Sequence, residues 1–97
     1  MNIELKKFGT TLISRQSGKE ALAAFEPSLK NVSEKEDIIV SFDGVITFSP
    51  SWGDEFLTTL FQRYGDRFKL IKNDNPSVLA TIEILEKSNN IKFNMIK

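Results

Sequence analysis

The side chains whose types and spacing could do chemistry gather in one stretch, TFSPSWGDEF, from Thr47 to Phe56. It holds Ser49 and Ser51 around Pro50, the chain's single tryptophan at position 52, a glycine, and the adjacent carboxylates Asp54 and Glu55. Such a set fits a carboxylate site for acid–base or metal work, a serine loop that accepts phosphate, or a recognition loop centred on Trp52. In the carboxylate reading, Asp54 and Glu55 act with Asp43, and Asp74 is a further candidate. Neighbouring residues on a helix point about 100° apart, so this pair converges on an ion only if the fold brings other carboxylates beside it. In the recognition reading, Trp52 is the hydrophobic anchor, because tryptophan is enriched among interface hot spots. Ser49 and Ser51 are then loop and cap residues, and Asp54 and Glu55 form a polar rim. A plain helix start also accounts for the serines and acids. Ser49 before Pro50, or Ser51 three residues before Asp54, can cap a helix, and first-turn carboxylates gain about 0.3–1 kcal/mol each from its dipole.

The rest of the composition narrows the choice. The 97 residues contain no histidine and no cysteine. That removes thiolate and imidazole metal ligands, Ser-His and Cys-His nucleophiles, disulfides, and the usual proton shuttle near neutral pH. No phosphate-cradling glycine motif is present: GDEF and GKEA lack the Walker spacing, and there is no G-x-G-x-x-G. The expectation is a non-enzymatic protein with no cofactor and no metal. Thirteen basic and thirteen acidic residues cancel, which argues against a nucleic-acid binder that would need a concentrated basic face. The opening MNIELKKFGTTL lacks the apolar run of a signal peptide, and no window is long enough to cross a membrane, so a soluble cytoplasmic protein is expected.

Forty percent hydrophobic residues with eight phenylalanines suffice for one core, and the chain reads as a single domain over residues 1–97. NIELKKF reads as a first strand. SGKE, from Ser17 to Glu20, has capping-box spacing ahead of a helix carrying Ala21, Leu22, Phe25 and Leu29, which Pro27 should end or kink. DIIVSFDGVITF is near-continuously apolar and predicts a central strand buried on both faces, with a turn or bulge at Asp43–Gly44. Phe56, Leu57, Leu60, Phe61 and Tyr64 form one helical stripe over about residues 51–64, closed by Gly65. FKLI is another strand. Asn75 caps a third helix with Pro76 at its first position, and IKFNMI alternates as a last, edge strand. The order β, α, β, α, β, α, β predicts an α/β layer with a mostly parallel sheet of four to five strands. The edge strand could pair with a second copy, so a monomer or weak homodimer is expected.

IIVSFDGVITFSPSWGDEFLTTLF resembles the core of a small bacterial STAS-like domain family, related in fold to the anti-sigma-factor antagonists. That family shows a strand, F-x-G-V, a serine pair, and D-E opening a helix. FGTTLISRQSGKEALAAF upstream and FKLIKNDNPSVLATI downstream are similar to its flanking elements, so the likeness spans about residues 8–85. The resemblance implies a regulatory module that binds a protein partner, such as an ATPase- or kinase-type regulator, through the loop and helix start Ser49–Glu55. In phosphorylated members of the wider group this loop carries Asp-Ser-(Ser)-Gly. Here Ser49 stands in place of the aspartate, Pro50 falls on one serine position and Trp52 replaces the glycine. Ser51 is therefore the one phosphate acceptor that carries over.

Overall fold

In the computed structural model, which describes residues Met1–Lys97, short alternating segments make four parallel strands: β1 (Asn2–Glu4), β3 (Ile38–Ser41), β5 (Phe68–Ile71) and β6 (Asn94–Ile96). Their order is β1-β3-β5-β6. The register aligns Ile3, Val40, Leu70 and Met95 across the sheet. Ile3, Val40 and Leu70 are fully buried, as are Ile38 and Phe68 on the same face. Here the sheet meets α1 (Arg15–Leu29), α3 (Thr59–Tyr64) and α4 (Pro76–Asn89) within one apolar cluster of 21 buried residues. A second, two-stranded parallel sheet pairs β2 (Thr11–Leu12) with β4 (Thr47–Phe48).

The long apolar run at residues 37–48 behaves differently from its expectation as one strand buried on both faces. It divides at the Asp43–Gly44 turn into β3 and β4, which belong to different sheets. In β3, burial alternates, with Ile38 and Val40 inside and Ile39 and Ser41 half-exposed. The physical reason is the period of two: the helices lie over one face, so every second side chain turns away from them. Asn2, Glu4, Ile39, Ser41, Lys69 and Ile71 make up this outer face.

The first helix also begins earlier than the Ser17–Glu20 capping box predicts. Ser14 is the cap, its hydroxyl accepting from the Ser17 amide at 3.0 Å. Ala21, Phe25 and Leu29 recur every four residues and are buried. Pro27 does not stop the helix at once: it runs two residues further, to Leu29. The N-terminal strand is shorter than NIELKKF and gives way at Leu5–Phe8 to a 3-10 turn. At the other end α4 buries Val78, Thr81, Ile82 and Leu85 and closes at Asn90 in the left-handed conformation. The last strand pairs with β5 on one side and is an edge, as its alternation predicts. No helix is long and apolar enough to cross a membrane.

Candidate functional site: the junction after β4

Two residues of strand are too few to hold a helix start in place alone, and β4 has a partner strand on one side only. Side chains of α4 satisfy the other. The Ser77 hydroxyl accepts from the Phe48 amide at 2.9 Å and donates to the Phe48 carbonyl at 3.1 Å; the Thr81 hydroxyl donates to that same carbonyl. Just upstream, the Asn75 side-chain amide donates to the carbonyls of Val45 and Ile46 at 3.0 and 3.1 Å. The next amide, that of Ser49, donates to Leu12 across the small sheet at 2.9 Å. Backbone polar groups that no strand could pair are thus all occupied, which fixes the chain as it leaves the strand.

From there the helix α2 (Pro50–Gly53) starts. Of the alternative caps, Ser49 is the one used: its hydroxyl accepts from the Trp52 amide at 3.2 Å and donates to the Ile13 carbonyl. Pro50 at the first helical position has no amide to satisfy and leaves Ser49 outside the helix in extended backbone. Ser51 therefore lies inside the helix and caps nothing. Its hydroxyl makes no hydrogen bond within the chain and lines a cleft of about 190 Å³.

Trp52, the hydrophobic anchor of the recognition reading, is fully buried and so is not available as that anchor. It stacks on Phe56 with ring centroids 5.0 Å apart and an interplanar angle of 24°, and meets Phe48 edge-on at 5.8 Å and Phe8 at 6.2 Å. Close approach of α1 and α2 draws it in. A Cβ on Gly18 would sit 2.8 Å from the Trp52 carbonyl oxygen, so only glycine lets α1 come this near. Gly53 likewise lies close to α4 and β4, where a Cβ would be 2.9 Å from the tip of Leu85 and 3.0 Å from the ring of Phe48, side chains that can give way more readily than backbone. The indole nitrogen has no acceptor. Its position is set by packing, and a partner cannot touch it in this conformation.

Asp54 and Glu55 follow on a π-helical turn (Asp54–Thr58) that leads into α3. Both carboxylates stay partly exposed and both bind one residue that sequence reasoning missed. Arg15, first in α1, donates from Nη1 to Asp54 Oδ2 at 3.2 Å and to Glu55 Oε2 at 2.5 Å. Those hydrogen bonds, Glu55 first and Asp54 second, raise the Arg15 pKa further above its ordinary value. Asn89, at the end of α4, donates to Asp54 Oδ1 at 3.3 Å. Arg15 stands just after the Ser14 cap, so the signal for it was the true start of α1. The π-turn itself leaves no mark in the residue pattern.

The carboxylate reading does not assemble. Asp43 lines a different depression, of about 480 Å³, together with Lys72, Asn73 and Asp74. Asp54 and Glu55 are instead tied to a guanidinium, and no three acidic side chains converge anywhere in the chain. Elsewhere, Glu26 is held below its ordinary pKa chiefly by its hydrogen bond from Arg63, and Glu36 chiefly by one from the N-terminal ammonium.

No curated protein and no solved structure matches this chain. A family model does, over residues 17–78, from the first turn of α1 through β3, the β4 junction and β5 to the start of α4. That stretch holds β4, the helix start and the Asn75 and Ser77 side chains that fix it, while Phe8, β2, Ile13, Arg15 and the later turns of α4 lie outside it. With the parallel sheet and the covering helices described above, it establishes that the chain belongs to the family described as STAS-like domain of unknown function (DUF4325).

Proposed function

We propose that this STAS-like domain is a non-enzymatic regulatory module of the cytoplasm that binds a partner protein, an ATPase-type regulator in the first instance, through the edge Ser49–Glu55. The observation that carries this reading is the contrast within the junction. Its backbone is fixed by Ser77, Thr81, Asn75 and Leu12, while Ser51, Asp54, Glu55 and neighbouring Arg15 keep their side chains partly in solvent. A surface held rigid before binding loses little conformational freedom on docking. Trp52 has a different part from the one its residue type implies: it roots the surface from beneath. Ser51 is the residue whose hydroxyl is free for modification, since Ser49 spends its own on the cap. A phosphate there would add charge beside Asp54 and Glu55 and change the surface directly.

The test is quantitative capture from host lysate with the intact mass of the bait recorded. Wild type is compared with Ser51→Arg, and with Lys72→Ala in the other depression as a control. Capture of a regulator by wild type and by the control, but not by Ser51→Arg, supports the reading, and an added phosphate mass on wild type and control but not on Ser51→Arg assigns the modification to Ser51. Equal capture by all three baits overturns it.

A further inference from the structure

The cleft beside Ser51 has a built shape and an unbalanced charge. Leu85, Ile84 and Pro50 supply its apolar lining, and the larger share of the lining is polar, Arg15, Asp54, Ser88 and Asn89 included. Ile84 is 46% exposed, one of the few large aliphatic side chains left in solvent, and it stands at this opening. At about 190 Å³ the space is below the roughly 300–1,000 Å³ of sites for drug-sized ligands. It matches a single aliphatic side chain. Arg15 is shared between Asp54 in the cleft and Glu55 just outside its lining, so among these three groups one guanidinium faces two carboxylates and one negative charge is left over.

Resting on the reading that the Ser49–Glu55 edge is the recognition surface, we propose that this cleft seats one aliphatic side chain from a basic segment of the partner protein, an adjacent arginine or lysine lying on Asp54 and Glu55. Ile84 is then the apolar anchor that Trp52 is not. A second copy of this chain is disfavoured as occupant, because a two-fold contact would set the surplus negative charge against itself. Like-charge juxtaposition is costly and complementary charge steers encounter, so the sign of the segment is the specific content of the proposal.

The experiment uses the whole isotope-labelled chain and two blocked, alanine-rich helical peptides. One carries a leucine flanked by arginines, the other the same leucine flanked by glutamates. The arginine peptide is expected to shift the backbone amides of Arg15, Ser51, Ile84 and Asn89, progressively less as salt is raised. The glutamate peptide is expected to leave them in place. Ile84→Ala and Asp54→Asn should each weaken the arginine peptide by about tenfold. Ile84→Ala gives the apolar part alone, and dispersed amide spectra confirm that each variant is folded. Equal shifts with both peptides, shifts confined to another face, no shift at millimolar peptide, or shifts that grow with protein concentration in the absence of peptide each overturn the proposal. If the peptides fail while Ser51→Arg still loses the captured regulator, the recognition surface stands and the cleft assignment alone falls.

Discussion

Ser49–Pro50–Ser51–Trp52 and Asn75–Pro76–Ser77–Val78 are the same sentence written twice. In each, a polar cap outside the helix accepts an amide: Ser49 takes that of Trp52, Asn75 that of Ser77. In each, proline holds the first helical position and the residue two places on is fully buried. The serine between them separates the two. The Ser77 hydroxyl is locked onto both polar groups of Phe48, whereas the Ser51 hydroxyl binds nothing and faces a cleft. The difference comes from the neighbours: the start of α4 lies along the open side of β4, and the start of α2 lies at the surface. The second helix start thus serves as scaffold for the first. Two copies of one local pattern acquire different roles because only one has a strand edge to satisfy.

The largest test of this contrast removes the root of the first start. Trp52→Ala deletes a buried indole packed on Phe56, Phe48 and Phe8, and is expected to cost about 3–5 kcal/mol in urea unfolding. A cost under about 1 kcal/mol would mean that Trp52 is no root at all. Next comes Gly18→Ala, which places a methyl group 2.8 Å from the Trp52 carbonyl oxygen. The obstacle is backbone and cannot rotate away, so a loss of about 1–3 kcal/mol is expected by the same measurement. Unchanged stability would show that α1 and α2 can move apart.

These two residues also mark where the sequence stopped being readable. Strand and helix order, the Asn75 cap and the parallel sheet follow from periodicity and capping chemistry, which are local. The division of residues 37–48 between two sheets does not, because an apolar run looks the same whether its second half continues the strand or leaves it. Trp52 was legible as important and illegible as to side. A tryptophan beside glycine and polar caps fits inward packing as well as a partly exposed anchor, and the choice is made by Gly18, more than thirty residues upstream, which presses against its carbonyl. Arg15 was hidden in the same way, since only the tertiary crossing of α1 over the π-turn brings it to Asp54 and Glu55.

The comparison of the two serines is sharpened by a matched pair of alanines. Ser77→Ala leaves the Phe48 amide, buried under α4, without its acceptor and is expected to cost about 1–3 kcal/mol. Ser51→Ala removes a hydroxyl with no partner and is expected to stay within about 0.5 kcal/mol of wild type. Thermal unfolding of the pair reads both values at once. Equal losses would erase the distinction between scaffold and surface.

The smallest loss expected of any stabilising contact concerns the far end of the same helix crossing. Arg15 at the start of α1 ties down the π-turn, and Glu26 near the end of α1 holds Arg63 of α3 through two hydrogen bonds of 2.6 and 2.7 Å. The Arg63 hydrogen bonds keep the Glu26 carboxyl below its ordinary value of 4.5. A carboxylate more acidic in the folded chain than in the unfolded one stabilises the fold fully above the unfolded pKa, and that contribution disappears as pH falls through the folded one. The pair is largely solvent-exposed, so its worth at neutral pH is only about 0.2–1 kcal/mol. Glu26→Gln should be less stable than wild type by that amount at pH 7, with the gap narrowing below pH 4.5 until the two unfold at the same urea concentration. Glu36 is also held low, by the N-terminal ammonium first, but it is present in both proteins and cancels from the difference. A gap that persists unchanged in acid would assign the stabilisation to packing of the Glu26 stem and not to its charge, leaving Arg15 as the ionic tie between α1 and the long helix it crosses.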